Sequence, residues 1–357
     1  MRPSSFDQFT VVAYEGDAIS NEIAAMQEIA NAAGIGSRIY AECPSEYPMA
    51  RVEPWSAYRG RDSSVLLIHY AISSTLFDRV FSASSRKSLL YHNVTPPAYF
   101  KGMPGELLER LTAARANLTR YKDRVELALA DSTFSANELT DAGYRNVIVL
   151  PYIMRHSLYE VPPDESVLDR CSGDGMVNLL SVGRVAPNKC LEDSILSFHY
   201  FHKWIEPRSR LFIVGSSAGT EYYHMRLNRL VNRLGLADSV IFAGRVSQAG
   251  MNAYYNVADA FLMMSEHEGF CVPLVEAMLF DVPVFANAAC AVPETMRGAG
   301  VLLQEKVHAE IAEAIGIVIS DPAMREQVLR GQREAVKFYS KEAAERRFSG
   351  VLASLGF

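Results

Sequence analysis

Two α/β domains, each a parallel sheet wrapped by helices, are what this sequence predicts, and three observations carry the prediction. Short apolar runs of strand length alternate with helical patterns along the whole chain. The length, 357 residues, exceeds what one ordinary hydrophobic core serves. Several apolar runs also stop at a glycine-containing loop before the next helical pattern begins, as at Gly16, Gly183, Gly215 and Gly244.

In the first half, Phe9 to Tyr14 reads as a strand and Gly16-Asp17-Ala18-Ile19-Ser20 as the loop after it. Residues Asn21 to Ala33 place Ile23, Met26, Ile29 and Ala30 on one stripe, and Gly34 stops that helix. Ser37 to Ala41, Val65 to His69, Ser88 to Tyr91, Ala128 to Ser132 and Val147 to Leu150 supply the remaining strands. Prolines, aspartates and glycines between Glu160 and Gly175 have the composition of a linker. The expected division is therefore a first domain over 1–160, a linker over 161–175, a second domain over 176–338 and a terminal helical segment over 339–357. In the second domain, Glu221 to Leu234 carries Leu227, Leu230, Val231 and Leu234 on one face, and Ser247 is placed to cap the next helix.

The segment Ser265 to Met278 carries the most chemistry. The apolar strand Ala260 to Met264 runs into it, and Pro273 suits the first turn of a helix through Leu279, because that turn leaves its N–H groups unpaired in any case. Amides at Gly269, Phe270 and Cys271, together with the positive end of the helix dipole, would suit a phosphate. Glu268 and Glu276 accept hydrogen bonds only, so beside a phosphate they are assigned to sugar hydroxyls, Glu268 to a hexose and Glu276 to a ribose. A helix-terminal charge at Glu268 and a solvated Glu276 are the competing reading. Upstream, a strand ending at Gly183 leads to Arg184 and Lys189, a planar fork and a point charge that could clamp a diphosphate; an exposed cation pair is the alternative. In open parallel sheets ligands bind beyond the carboxyl ends of strands, which adds the loops at Gly16, Asp17, His69, His92 and Gly215. Gly16 and Asp17 form either an acceptor or phosphate loop or an ordinary tight turn.

The order of these motifs resembles the retaining glycosyltransferases of family 4, which have the two-domain GT-B fold. The resemblance rests on Gly183 to Lys189, on Leu211-Phe212-Ile213-Val214-Gly215, on Val240 to Val246, and on the glutamates Glu268 and Glu276. It implies two Rossmann-like domains with parallel sheets facing a central cleft, the first for the acceptor and the second for the nucleotide sugar. Glu268 would then contact the donor sugar, Glu276 the ribose, and Arg184 and Lys189 the diphosphate. His92 would contact the transferred sugar, and the backbone of Arg245 and Val246 the base. Many members have glycine where Cys271 stands here. The terminal helix is expected to cross back to the first domain. Retention implies that the leaving phosphate, and not a dedicated protein base, accepts the acceptor's proton.

Composition limits the partners. At 49% hydrophobic and 21% charged residues, with a net charge of −6, the chain fits a globular protein and not a general nucleic-acid binder. Its five cysteines show neither metal spacing nor a disulfide framework, which points to the cytoplasm. No stretch has the roughly twenty apolar residues of a membrane span. Arg110, Arg115, Arg120, Lys122 and Arg124, interleaved with leucines, could still rest on the inner face of a plasma membrane, a solvated helix face being the alternative. No Asp-x-Asp motif occurs, so neither metal nor cofactor is expected and the donor is a substrate. The resulting expectation is transfer of a hexose, from GDP-mannose ahead of a UDP-sugar, to a saccharide or lipid-linked saccharide in bacterial polysaccharide synthesis. A nucleotide-sugar epimerase and a noncatalytic sugar-nucleotide sensor are the alternatives.

Overall fold

The structure, a computed structural model, describes residues 3–44 and 51–357. The chain forms two compact units, one of Met1–Ala98, Glu106–His156 and Tyr339–Phe357, the other of Tyr99–Gly105 and Ser157–Phe338.

The first unit holds β1 (Ser5–Ala13), β2 (Ile39–Pro44), β3 (Val52–Pro54), β4 (Ser64–Tyr70), β5 (Arg86–Tyr91), β6 (Leu127–Ala130) and β7 (Val147–Val149). They pair in the order β3-β2-β1-β4-β5-β6-β7, all parallel. Helices on both faces explain why central strands read as unbroken apolar runs, and every residue of β4 is buried. The first strand begins before Phe9, where the sequence pattern starts it. Asp7 and Gln8 look like solvent-facing residues but are buried, Gln8 by bonding its amide inward. The following helix, Ala18–Ala32, starts earlier than predicted because the Asp17 carboxylate caps it, accepting from the Ser20 amide at 2.9 Å.

The helix Lys341–Ser354 belongs to this unit. Phe348, Val351 and Leu352 join Phe6, Met26 and Val65 in one core, with the Phe348 ring edge-on to Phe6 at 5.5 Å. The basic helix Leu107–Leu118 spends its arginines on the protein: Arg110 donates to the Ser73 carbonyl and Arg115 pairs with Glu138 at 2.9 Å. Beyond it Arg120 pairs with Asp78 at 3.0 Å. Those contacts favour the ordinary helix face over a membrane-facing one. Among the described residues no helix is long and apolar enough to cross a membrane.

The second unit holds β8 (Val177–Val182), β9 (Ser209–Val214), β10 (Val240–Gly244), β11 (Ala260–Met263), β12 (Val284–Asn287) and β13 (Val301–Leu303), parallel in the order β10-β9-β8-β11-β12-β13. Each sheet reverses its strand order once, at β1/β4 and at β8/β11, and the loops beyond those carboxyl ends are where such sheets hold ligands. Segment 161–175 differs from the linker predicted for it. It contains the helix Glu165–Cys171, capped by Asp164, with Val167 and Cys171 buried four residues apart on one face. The prolines that suggested a linker lie before the cap, where they are compatible with a helix start.

Candidate functional site

In the second unit the loops after β8 and β11 bring together residues that are far apart in sequence. Lys189 Nζ donates to Glu268 Oε1 at 2.7 Å, with both side chains largely buried. Burial alone would disfavour the ammonium, but Glu268 outweighs it and the Lys189 pKa rises. The two residues assigned to diphosphate and sugar therefore occupy each other here. Arg184 is exposed, its Nη2 3.4 Å from the Ala218 carbonyl.

Gly183 and Gly215 are needed where they stand. A Cβ on Gly215, at φ 151°, would lie 1.9 Å from the Gly183 carbonyl oxygen, and the Lys189 stem passes over Gly183. The ends of β8 and β9 thus close up until only hydrogen fits between them.

The helix Val272–Leu279 has Pro273 in its first turn and Cys271 as its cap, at φ 77° in the left-handed region that glycine takes easily. Burial first, then Glu268, pushes the Cys271 thiol up, so it stays protonated beside the ion pair. Gly269 and the buried Phe270 lead into the turn, and the Phe270 carbonyl accepts from Thr295. Glu276 is not simply solvated. Its Oε1 accepts from Tyr159 at 3.1 Å and its Oε2 from Tyr255 at 2.8 Å, while burial raises its pKa against those two bonds. Arg245 is exposed and Val246 half-buried after β10, and Ser247 caps the helix Gln248–Val257 by accepting from the Gly250 amide at 3.2 Å.

In the first unit His92, after β5, has neither ring nitrogen turned to solvent. Its Nε2 lies 2.9 Å from His69 Nδ1, and its Nδ1 lies 3.3 Å from Asp131 Oδ2 and 3.5 Å from Glu22 Oε2. A direct sugar contact through this ring, as expected from the sequence, would require it to give up one of those partners. The Asp17 carboxylate caps the helix, accepting from the Ser20 amide and hydroxyl, and Gly16 makes the turn before it at φ 78°.

Sequence reasoning missed Glu22, Asp131, Tyr159 and Tyr255. Glu22 had a readable signal, since it falls four residues before Met26 on the buried stripe of its helix. The others had none, because their partners come from distant elements. Two groups crowd potential ligand atoms within 4.8 Å: Glu22 with His92 and Asp131, and Cys190 with Asp193 and Glu266. Lys306 already lies between Asp193 and Glu266, at 2.7 and 3.0 Å, and offsets one of their two charges. No metal is assigned to either.

Residues 174–335 match the family described as glycosyl transferases group 1. The D-inositol 3-phosphate glycosyltransferase of Acidothermus cellulolyticus is 30% identical over 179 residues, 48% of this chain and 40% of the relative. The match thus spans about two fifths of that relative's length. The sucrose-phosphate synthase of Thermosynechococcus elongatus superposes over 99% of both chains with a TM-score of 0.77 at 18% identity. HepE of Anabaena, in complex with UDP and glucose, does so over 98% of this chain and 100% of its own, with a TM-score of 0.74 at 18% identity. At such identities the likeness is one of fold, and the fold is GT-B.

Proposed function

We propose that this protein transfers a hexose from a nucleoside-diphosphate sugar to a hydroxyl of a saccharide or lipid-linked saccharide, with retention at the anomeric carbon. The Lys189–Glu268 pair carries the proposal. The pair lies beyond β8 and β11, where Lys189 would serve as a cation for the diphosphate and Glu268 as an acceptor for sugar hydroxyls, with Glu276 on the helix that follows. An arriving donor exchanges partners: its phosphate oxygens take the Lys189 ammonium, its hexose hydroxyls take Glu268, and its ribose hydroxyls share Glu276 with the tyrosines. Gly269, Phe270 and Cys271 bring the amino end of their helix to the phosphates.

The bond between the anomeric carbon and the phosphate oxygen breaks, and the nucleoside diphosphate leaves with the electron pair. The acceptor oxygen bonds the same carbon from the same face, and its proton passes to the departing phosphate. Arg184 and Lys189 stabilise the charge that grows on that phosphate, a term worth several kcal/mol when donors are preorganised. They take the place of a divalent ion, and no cofactor is invoked. The family match and the curated glycosyltransferase relative support the reaction class. GDP-mannose is the first donor to test and a UDP-hexose the second, the latter supported by HepE. The acceptor is assigned to the first unit, and bacterial polysaccharide assembly remains the proposed setting.

A melting screen with GDP, UDP, ADP and dTDP and their sugar conjugates tests the proposal, since a ligand at a hundred times its Kd stabilises by about 2.7 kcal/mol. One nucleotide should raise the melting point, and the matching sugar conjugate should turn over in the presence of a chelator. No shift with any of them would favour a different ligand class. Arg184→Ala should lose transfer by roughly a hundredfold with an unchanged melting point; full activity in that variant would remove the diphosphate clamp.

A further inference from the structure

Among the described residues Glu22 is the most deeply buried carboxyl group to face a candidate site residue, with no measurable exposure, and nothing in the proposed transfer uses it. Its Oε1 accepts from the Ile153 amide at 2.9 Å. Its Oε2 has no hydrogen-bond partner beyond its 3.5 Å approach to His92, and Asp131 Oδ1 is likewise unbonded.

The hydrogen positions around it follow from one fixed end. Gln8 Nε2 donates to the Ile23 carbonyl at 3.0 Å, so Gln8 Oε1 must accept, and His69 Nε2 at 3.0 Å must carry the hydrogen. Burial depresses the His69 pKa far below its usual value, with His92 adding to the effect, so His69 is neutral and its Nδ1 is a bare acceptor. His92 Nε2 then donates to His69, which leaves His92 Nδ1 aimed at the two carboxyl groups. With both carboxyls ionised and the His92 ring protonated on both nitrogens, the buried trio would carry one net negative charge and have two oxygens without hydrogens to accept. A single proton on Glu22 cancels that charge and supplies the missing donor.

We infer that Glu22 is a positioning residue: its carboxyl group holds the His92–Asp131 pair and so sets the orientation and charge of the His92 ring. The electrostatics agree. Burial, and secondarily Asp131, lifts Glu22 to about 8 against the opposing pull of His92 and the Ile153 amide. On His92, burial opposes the charged form, but Asp131, Glu22 and Asp17 together raise the pKa. The titratable groups that face Glu22 and His92 are His69 at the end of β4, Asp131 after β6 and Asp17 at the head of the helix that carries Glu22. After β7, Tyr152 donates to the Ala18 carbonyl and Arg155 pairs with Glu28, so neither is directed at Glu22.

Any effect on turnover rests on the sugar-transfer reading; the state of the ring does not, and it can be read without substrate. Histidine-labelled protein, with the His92 signal assigned by its loss in His92→Gln, is titrated by nitrogen NMR. Two interacting sites titrate as a pair, so wild type should show two steps, one of them near pH 8. Glu22→Gln should retain the Nε2–H form, show a single step, and lose its His92 proton at lower pH than the last wild-type step. Two unchanged steps in Glu22→Gln would overturn the inference, as would a shift of the wild-type His92 signal on adding one equivalent of Zn²⁺ alone, which would make the trio a metal site. If Glu22→Gln fails to fold, infrared titration of wild type decides. A protonated buried carboxyl band that disappears near pH 8 upholds the inference, and its absence at neutral pH overturns it. Once a donor is found, Glu22→Gln should lower kcat roughly ten- to hundredfold with the donor KM unchanged, and the alkaline limb of the wild-type profile should disappear. A sugar-transfer reading that fails would leave the two NMR steps in place.

Discussion

In the second unit the polar centre is an ion pair, Lys189 on Glu268 at 2.7 Å, with a protonated thiol beside it. In the first unit it is a trio, Glu22, His92 and Asp131, with His92 Nδ1 at 3.5 and 3.3 Å from the two carboxyl groups. The pair, its ammonium stabilised by Glu268, changes by exchanging partners. The trio can change charge without exchanging anything. Burial surrounds a ligand-exchange site in one unit and a titrating site in the other: Glu268 raises the Lys189 pKa against burial, whereas burial itself is the largest cause that raises Glu22.

The largest test of this contrast is Glu268→Ala. It should abolish transfer and, by leaving the Lys189 ammonium buried without its partner, cost about 3 kcal/mol of stability, read from the denaturant midpoint at constant slope. Glu268→Gln, which keeps a hydrogen-bond acceptor, should lose transfer at a smaller stability cost. An unchanged midpoint in the alanine variant would show that the pair is not a closed unit.

Next in size is the dependence of stability on pH. Folded Glu22 keeps its proton up to about 8, while the unfolded chain releases it near 4.5, so stability falls as pH rises across that window. His92, raised above its usual 6.5, adds to the fall above that value; His69, depressed, acts in the opposite sense and only below it. Each proton contributes at most about 1.4 kcal/mol per pH unit. The melting point of wild type should therefore fall between pH 6.5 and 8 more steeply than that of Glu22→Gln, and equal slopes would break the contrast. Lys189 contributes nothing in that range, because a raised lysine loses its contribution only above its usual 10.5.

The smallest effect is expected from Cys271→Gly. Glycine relieves the left-handed backbone, worth about 1 kcal/mol, and gives up a buried thiol of similar worth, so the melting point should move little. A large loss would show that the thiol supports the ion pair through more than packing.

The second unit was the more legible in sequence, for a physical reason. Gly183 to Lys189 and Glu268 to Glu276 each lie within one strand-loop-helix unit, so local spacing fixes the geometry. Their meeting, between residues 79 apart, follows from β8 and β11 being neighbours, which no local pattern states. The first unit draws Glu22, His92 and Asp131 from three separate elements. His92 was visible at a strand end, but the groups that turn its ring inward were not. The helix Glu165–Cys171 escaped notice because seven residues give too few repeats for a period to outweigh the flanking prolines and glycines.

The return of Lys341–Ser354 to the first unit also sets an order of assembly. Synthesis runs from the amino end, and domains generally fold as they emerge. Here the surface around Phe6, Met26 and Val65 must wait for Phe348, Val351 and Leu352, some three hundred residues later. The second unit, complete at Phe338, can bury its core while the first is still open. A nascent chain halted after Phe338 should then resist protease over residues 174–335 and be cut within the first unit. The part of the protein made first is the part finished last.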